Sequence, residues 1–86
     1  MQDMLAQIQR DYFVDDLNYV KPGIAEATRV MLRRVPALLM VRDPDHPDIE
    51  HLMLLAQEKG VPVDVRADMP FHACSLIKAL ARQEAH

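Results

Sequence analysis

The chain has 86 residues, half of them hydrophobic, and its 13 acidic and 10 basic residues give a net charge of −3. This length supports one modest core, so we predict a single domain over residues 1–86. The single cysteine, Cys74, excludes an internal disulfide scaffold and fits a reducing compartment. No apolar run approaches the ~20 residues of a membrane span, and the first residues lack the pattern of a signal peptide, so we expect a cytoplasmic protein without a membrane partner.

The first third of the chain predicts two amphipathic helices, over residues 2–13 and from Gly23 to Pro36. The short apolar segment between them, residues 17–20, fits either a strand or an irregular link. In both helices the apolar residues recur at helical spacing. The two stripes are Met1, Met4, Leu5, Ile8 and Tyr12 in the first helix, and Ile24, Ala27, Thr28, Met31 and Val35 in the second.

Residues 37–65 predict a strand, an acidic turn, a helix and a second strand. The run ALLMV has no alternation, which is typical of a strand covered on both faces. Gly60 is a natural end for the helix, and the alternation of Val61, Val63 and Val65 favours a strand near the sheet edge. Because the connecting helix has about a dozen residues, the two strands should be parallel with a right-handed connection. We therefore predict an α/β fold with a small, mostly parallel sheet and helices on both faces.

The last segment, after Pro70, is predicted to be a helix with apolar residues facing inward. Those residues are Phe71, Cys74, Ile77, Leu80 and Ala81.

The acidic turn is dense in potential metal ligands. They are Asp43, Asp45, His46, Asp48, Glu50 and His51. No His or Cys pair has the four-residue spacing of a zinc helix, and the glycine and final glutamate of a calcium loop are missing. Capping of the next helix by Asp45 or His46 accounts for these residue types, so we predict no metal and no cofactor.

Catalytic patterns are weak in this chain. His72 and Cys74 lie two residues apart, which on a helix directs their side chains differently, so a buried structural cysteine is the favoured interpretation. The sequence has no Ser/His/Asp order and no glycine-rich phosphate loop. We predict that the chain is not an enzyme and takes no small-molecule substrate.

One face of the second helix carries Glu26, Arg29 and Arg33. From residue chemistry alone this is a solvated face with an ion pair. A nucleic-acid binder usually carries a basic excess, so with a net charge of −3 any such contact requires a local basic patch.

The segment PGIAEATRVMLRRVPALLMVRDPDHPDIEHLMLLAQEKGVPVDV resembles the kink-turn RNA-binding family of L7Ae/L30e-type ribosomal proteins. Gly23, Glu26 and Arg29 match the glycine, glutamate and basic positions of that family, and Asp43 matches the end of its strand. The stretch LLAQEKGVPV matches the second half of the pattern. The same unit is similar, more weakly, to the substrate-binding domain of SpoU-type RNA methyltransferases.

The resemblance implies an L30e-like three-layer αβα sandwich that acts as a small RNA-binding, ribosome-associated or regulatory domain, with structured RNA as its partner. It places the RNA contact at the start of the second helix and at a loop before the last segment. The implied RNA-binding residues are Lys21, Gly23, Glu26, Arg29, Arg33, Met69 and Phe71. The alternative is a non-catalytic protein-interaction domain of the same fold that has lost RNA recognition and binds a protein partner or its own copies.

Overall fold

The computed structural model describes residues 2–12 and 14–78, which contain three α-helices and four strands. In chain order they are α1 (Gln2–Asp11), β1 (Val20–Pro22), α2 (Ile24–Arg33), β2 (Leu38–Val41), α3 (Glu50–Lys59), β3 (Val63–Val65) and β4 (Ala73–Leu76). Single 3₁₀ turns at Leu17–Tyr19 and Pro47–Ile49 precede β1 and α3. Of residues 17–20, for which a strand or an irregular link was expected, the first three form the 3₁₀ turn and Val20 begins β1.

The four strands form one sheet in the order β1-β4-β2-β3. The predicted pairing of β2 with β3 is parallel, as expected, and β3 lies at the sheet edge. The prediction of a mostly parallel sheet is wrong, because β4 runs antiparallel to both β1 and β2. The segment between β3 and β4 is too short to hold a crossover helix, so β4 returns in the opposite direction.

The predicted last helix is also wrong, since Ala73–Leu76 is a central strand. All four of its residues are fully buried, so the segment has no period-two alternation, and the spacing of Phe71, Cys74 and Ile77 imitates a helix. Leu80 and Ala81, also assigned to that helix, lie outside the described residues.

Helices cover both faces of the sheet, which confirms the predicted α/β layers. On one face, Leu39 and Val41 of β2 pack with residues of α2 and α3. On the other, Leu38 and Met40 pack with Ile8 of α1. β2 is therefore buried on both sides, as its apolar run predicts. Val35, predicted on the inner stripe of α2, lies past the end of that helix and is 62% exposed.

The predicted end of α3 at Gly60 is confirmed, whereas the cap predicted for its start lies on the 3₁₀ turn Pro47–Ile49 that precedes the helix. The side chain of His46 accepts a hydrogen bond from the backbone N–H of Asp48 and caps the turn before the helix. Gly60 ends α3 in the left-handed region, with φ 71°. No helix in the described part of the chain is both long and apolar enough to cross a membrane.

Polar contacts fasten the end of α1 to the β3 edge of the sheet. The hydroxyl of Tyr12 donates to Oδ2 of Asp64 at 3.1 Å, and Arg66 lies 3.0 Å from Oδ2 of Asp11. Burial and the neighbouring Asp64 carboxylate raise the pKa of Tyr12 above its ordinary value. α1 therefore forms one layer over the sheet, and the residues at its end are held at the β3 edge.

Candidate nucleic-acid interface

A groove of about 230 Å³ lies between the outer side of α2 and the β1 edge of the sheet. Its lining is mostly cationic, with an apolar contribution from two aliphatic side chains. The lining residues are Lys21, Glu26, Arg29, Val30, Arg33, Arg34 and Ile77.

Helical periodicity places the charged side of α2 along this groove. Ala27 and Met31 face the core and are fully buried, so Glu26, Arg29 and Arg33 fall on the outer side of the same helix. The opposite wall comes from the edge strand β1, where Lys21 is paired with Ser75 of β4.

One ion pair occupies part of the groove. Nη1 of Arg29 donates to Oε1 of Glu26 at 2.9 Å, and the two side chains are 62% and 40% exposed. An exposed pair of this kind contributes about 0–1 kcal/mol, so it can be opened at low cost. Among the described residues, the side chains of Lys21, Arg33 and Arg34 form no hydrogen bond and no ion pair.

Four cations and one carboxylate thus surround a single groove in a chain whose net charge is −3. This is the local basic patch that nucleic-acid binding requires of an acidic chain. Phosphate groups are the ligands that a cluster of guanidinium and ammonium groups favours.

The structure brings together four of the residues implied by the resemblance, namely Lys21, Glu26, Arg29 and Arg33. Sequence reasoning missed Val30, Arg34 and Ile77. Arg34 follows Arg33 directly, and this adjacent pair of arginines was the available signal. Ile77 follows β4, and it was assigned to the inner side of a helix that the chain does not form.

Gly23 lies immediately before α2 and does not line the groove. Its φ of 97° and ψ of 152° lie in a region that is essentially restricted to glycine. Its backbone N–H donates to the carbonyl of Ala73 at 2.8 Å. The visible role of Gly23 is therefore to turn the chain from β1 into α2 while keeping the sheet hydrogen bond.

Met69 and Phe71 are not part of the groove lining. Met69 is only 2% exposed, and Phe71 packs against the core cluster on the α1 face of the sheet. Their loop is fastened to the end of β2, since Nη1 of Arg42 donates to the carbonyl of Met69 at 3.2 Å. The implied RNA-binding residues thus fall into three places, the groove, the turn before α2 and this loop.

The acidic turn lines a second concavity of about 380 Å³. Its lining residues are Pro44, Asp45, His46, Pro47, Glu50 and Met53. Asp43 accepts a hydrogen bond from the backbone N–H of Asp45, and His51 lies 2.8 Å from the hydroxyl of Thr28. No group of three or more His, Cys, Asp or Glu within residues 2–12 and 14–78 is placed to hold a metal ion. Within the turn, His46 caps the 3₁₀ segment Pro47–Ile49 that leads into α3, and α3 itself begins at Ile49 without a side-chain cap.

Cys74 is confirmed as a buried residue, although it lies on a strand and not on a helix. Burial raises the pKa of its thiol to about 12. A nucleophilic cysteine needs an accessible thiolate, so Cys74 has the opposite properties of a catalytic residue.

Comparison with known proteins adds two matches. Residues 1–79 match the family described as the PELOTA RNA binding domain. Over 83 residues the chain is 40% identical to a protein named cysteine protease StiP from Acinetobacter baylyi (strain ATCC 33305 / BD413 / ADP1). That alignment covers 94% of this chain and 22% of the relative, so the chain spans about a fifth of the relative's length. Neither match supports the similarity to SpoU-type methyltransferases. Because the family match extends over nearly the whole chain, the chain belongs to the PELOTA RNA binding domain family.

Proposed function

We propose that this chain binds RNA through the basic groove between α2 and β1. The observation that carries the proposal is the concentration of Lys21, Arg29, Arg33 and Arg34 around one groove of an otherwise acidic chain. Membership of an RNA-binding domain family supports the same ligand.

The mechanism follows from electrostatics. Guanidinium and ammonium groups replace the counterions that surround RNA phosphates, and the release of those counterions favours binding. Arg33 and Arg34 are exposed and have no side-chain partner among the described residues, so they reach phosphates without breaking an internal bond. Affinity should therefore decrease as the salt concentration rises.

A finer proposal is that the RNA is structured, of the kink-turn type bound by L7Ae/L30e-like proteins, and that the domain is ribosome-associated or regulatory. The residues in support are Glu26 and Arg29, which match the family pattern and line the groove at the start of α2. Gly23 sets the position of that helix start.

The test is a fluorescence titration of the chain with a kink-turn RNA and with an unrelated RNA duplex at about 50 mM and about 200 mM salt. We expect measurable binding that weakens with salt, and a preference for the kink turn if the finer proposal holds. Arg29→Glu and Arg33→Glu should each weaken binding while the far-ultraviolet circular dichroism spectrum stays unchanged. Arg10→Glu is the matched control, because Arg10 is an exposed arginine on α1 and does not line the groove.

Binding that is equal in all four proteins would contradict the groove assignment. An absence of RNA affinity at low salt, together with concentration-dependent self-association or a co-purifying protein, would instead favour the non-catalytic protein-interaction domain as the function.

A second candidate function uses the relationship to the protein named cysteine protease StiP. We propose that this chain is not itself an enzyme and that it provides RNA recognition to a protease unit. The buried Cys74, with its raised pKa, supports this division of roles because it cannot serve as the nucleophile. Incubation with fluorescent casein should give no hydrolysis by the chain, and iodoacetamide-sensitive cleavage would contradict the proposal.

A further inference from the structure

We propose that the side of α2 and α3 that points away from the sheet is a docking surface for a second copy of this chain. This surface, the helix-pair face, has an apolar centre with cations on one helix and carboxylates on the other. Its residues are Arg29, Leu32 and Arg33 on α2, and Glu50, Leu54 and Glu58 on α3. All six are exposed.

The two helices lie side by side and run in the same direction. β4 is antiparallel to both β1 and β2, and β3 is parallel to β2, so β1, β2 and β3 share one direction. α2 joins β1 to β2, and α3 joins β2 to β3, on the same face of the sheet. Two contacts join the helices in matching order. The hydroxyl of Thr28 lies 2.8 Å from Nε2 of His51, and Nζ of Lys59 donates to the carbonyl of Met31.

The contact between Thr28 and His51 sets the register of the two helices. Leu32 lies four residues after Thr28, and Leu54 lies three residues after His51. Residues at these spacings are neighbours along one side of a helix. The two leucines are therefore at the same height along the helices to within one residue, or ~1.5 Å. With 66% and 59% of their surfaces exposed, Leu32 and Leu54 form the apolar centre of the helix-pair face.

The charges around these leucines have opposite signs on the two helices. Arg29 lies three residues before Leu32, and Arg33 follows Arg29 by four. Glu50 and Glu58 lie four residues before and after Leu54. In the register set by Thr28 and His51, Arg29 is within two residues of the height of Glu50, and Arg33 is within two residues of that of Glu58. Both offsets are ~3 Å along the helix axes, which long side chains span easily.

A second copy satisfies this pattern through two-fold symmetry. A two-fold axis parallel to the helices places α2 of each copy against α3 of the other. Leu32 then faces Leu54 of the second copy, while Arg29 and Arg33 face its glutamates. Because a symmetric contact is repeated, each of these pairs occurs twice. The ion pair between Arg29 and Glu26 is exposed and opens at low cost, so it does not prevent the contact.

The small size of the helix-pair face makes the association weak. Each helix has 10 residues and is therefore ~15 Å long. Packed helices have axes ~8–10 Å apart, so the face is about two helix widths across. Such a contact buries less than the ~1,200–2,000 Å² of stable interfaces. We expect a reversible dimer that forms at concentrations on the order of 100 μM and weakens as salt screens the ion pairs.

The first experiment measures sedimentation velocity of the whole chain between about 10 μM and about 1 mM. The sedimentation coefficient should rise from the monomer value towards the dimer value. Leu54→Ala should raise the dissociation constant about tenfold, because the lost apolar contact occurs twice in the dimer. Leu17→Ala is the matched control, since Leu17 is 44% exposed and precedes β1, outside the helix-pair face. It should leave the dissociation constant unchanged within about twofold.

A charge exchange tests the arrangement of the two copies. Arg33→Glu places two glutamates opposite each other in the dimer, and Glu58→Lys places a lysine opposite an arginine. Neither variant should dimerise alone, but their equimolar mixture should, because one copy of each restores both attractive pairs. Asp15→Lys makes the same charge change as Glu58→Lys at an exposed position outside the face. This control should dimerise like the wild-type chain.

The proposal is independent of RNA binding, which is measured at concentrations far below those at which the dimer forms. A wild-type chain that stays monomeric up to about 1 mM would overturn the proposal, because the helix-pair face would not bind a second copy. Dimerisation of either charge variant alone, or an equimolar mixture that stays monomeric, would overturn it as well. None of these results bears on the proposed function.

Discussion

Arg42 lies against the imidazole of His72, with its Nη2 atom 3.0 Å from Nδ1 and 3.4 Å from Nε2 of the ring. The same guanidinium donates to the carbonyl of Met69, and the backbone N–H of Arg42 donates to the carbonyl of His72 at 3.0 Å. The ring of His46 also packs against the His72 ring, with 4.2 Å between the two ring centroids. One residue after β2 therefore holds both ends of the loop 69–72.

Arg42→Met should loosen this loop. Methionine keeps a long apolar side chain but removes the guanidinium, so the carbonyl of Met69 and the ring of His72 lose their donor. The loss of hydrogen bonds to a charged group should lower the free energy of unfolding by about 1–3 kcal/mol. Hydrogen exchange measured by mass spectrometry should show faster exchange in residues 69–72 and little change in α1.

Arg10→Met is the control for this experiment, since Arg10 is exposed on α1. Equal exchange of the loop in Arg42→Met and in the wild-type chain would show that Arg42 does not restrain it.

Gly23→Ala should destabilise the start of α2. A Cβ at this position meets no atom within 4 Å, so the cost comes from the backbone, whose φ is 97°. Holding a residue other than glycine in such a region costs about 1–3 kcal/mol. Urea denaturation followed by circular dichroism checks this value. The neighbouring Ala25→Ser, at an exposed helical position, should change the stability by less than about 0.5 kcal/mol. Similar stabilities for both variants would contradict a conformational role for Gly23.

The sequence was sufficient to predict the parts of the fold that rest on local patterns. The helices α1, α2 and α3, the doubly covered strand β2 and the parallel edge strand β3 all follow from apolar periodicity and from the signals at Gly60 and Pro36. Periodicity also predicted that Glu26, Arg29 and Arg33 share one side of a single helix, and in the structure all three line the groove.

The position of β4 and the groove residue that follows it depend on tertiary contacts, which local sequence patterns do not encode. A central strand such as β4 is buried on both faces, so its sequence shows no alternation and is hard to distinguish from a buried helix. The insertion of β4 between β1 and β2 determines the antiparallel sheet and brings Ile77 to the groove. Missing one strand therefore accounts for both the wrong sheet direction and the omission of Ile77 from the predicted site.

Leu39→Ala tests the packing of β2 against α2 and α3. Leu39 is fully buried in the core cluster formed with α2 and α3, so truncation removes contacts and leaves a cavity. The free energy of unfolding should fall by about 2–5 kcal/mol. Leu54→Ala is the matched control, because Leu54 is 59% exposed on α3 and its truncation should cost less than about 0.5 kcal/mol. Equal midpoints of urea denaturation for the two variants would contradict the packing of α2 and α3 on β2.

Cys74 should be far less reactive in the folded chain than in the unfolded chain. The native thiol should react slowly with Ellman's reagent at about pH 8, because it is fully buried and its pKa is about 12. In guanidinium chloride the same thiol should react rapidly. Fast reaction of the folded chain would show that the β4 strand is exposed.

The raised pKa of Cys74 makes the free energy of unfolding depend on pH. In the unfolded chain the thiol ionises near its ordinary pKa of 9.0, whereas in the folded chain it stays protonated up to about 12. Above pH 9 the unfolded chain therefore binds fewer protons than the folded chain, and the free energy of unfolding falls by up to about 1.4 kcal/mol for each pH unit until about pH 12. Below pH 9 the thiol contributes no pH dependence. Cys74→Ala lacks this contribution, so its stability should fall less steeply than that of the wild-type chain between pH 9 and the highest pH at which both fold. Parallel pH profiles from urea denaturation would show that the thiol is not protected by burial.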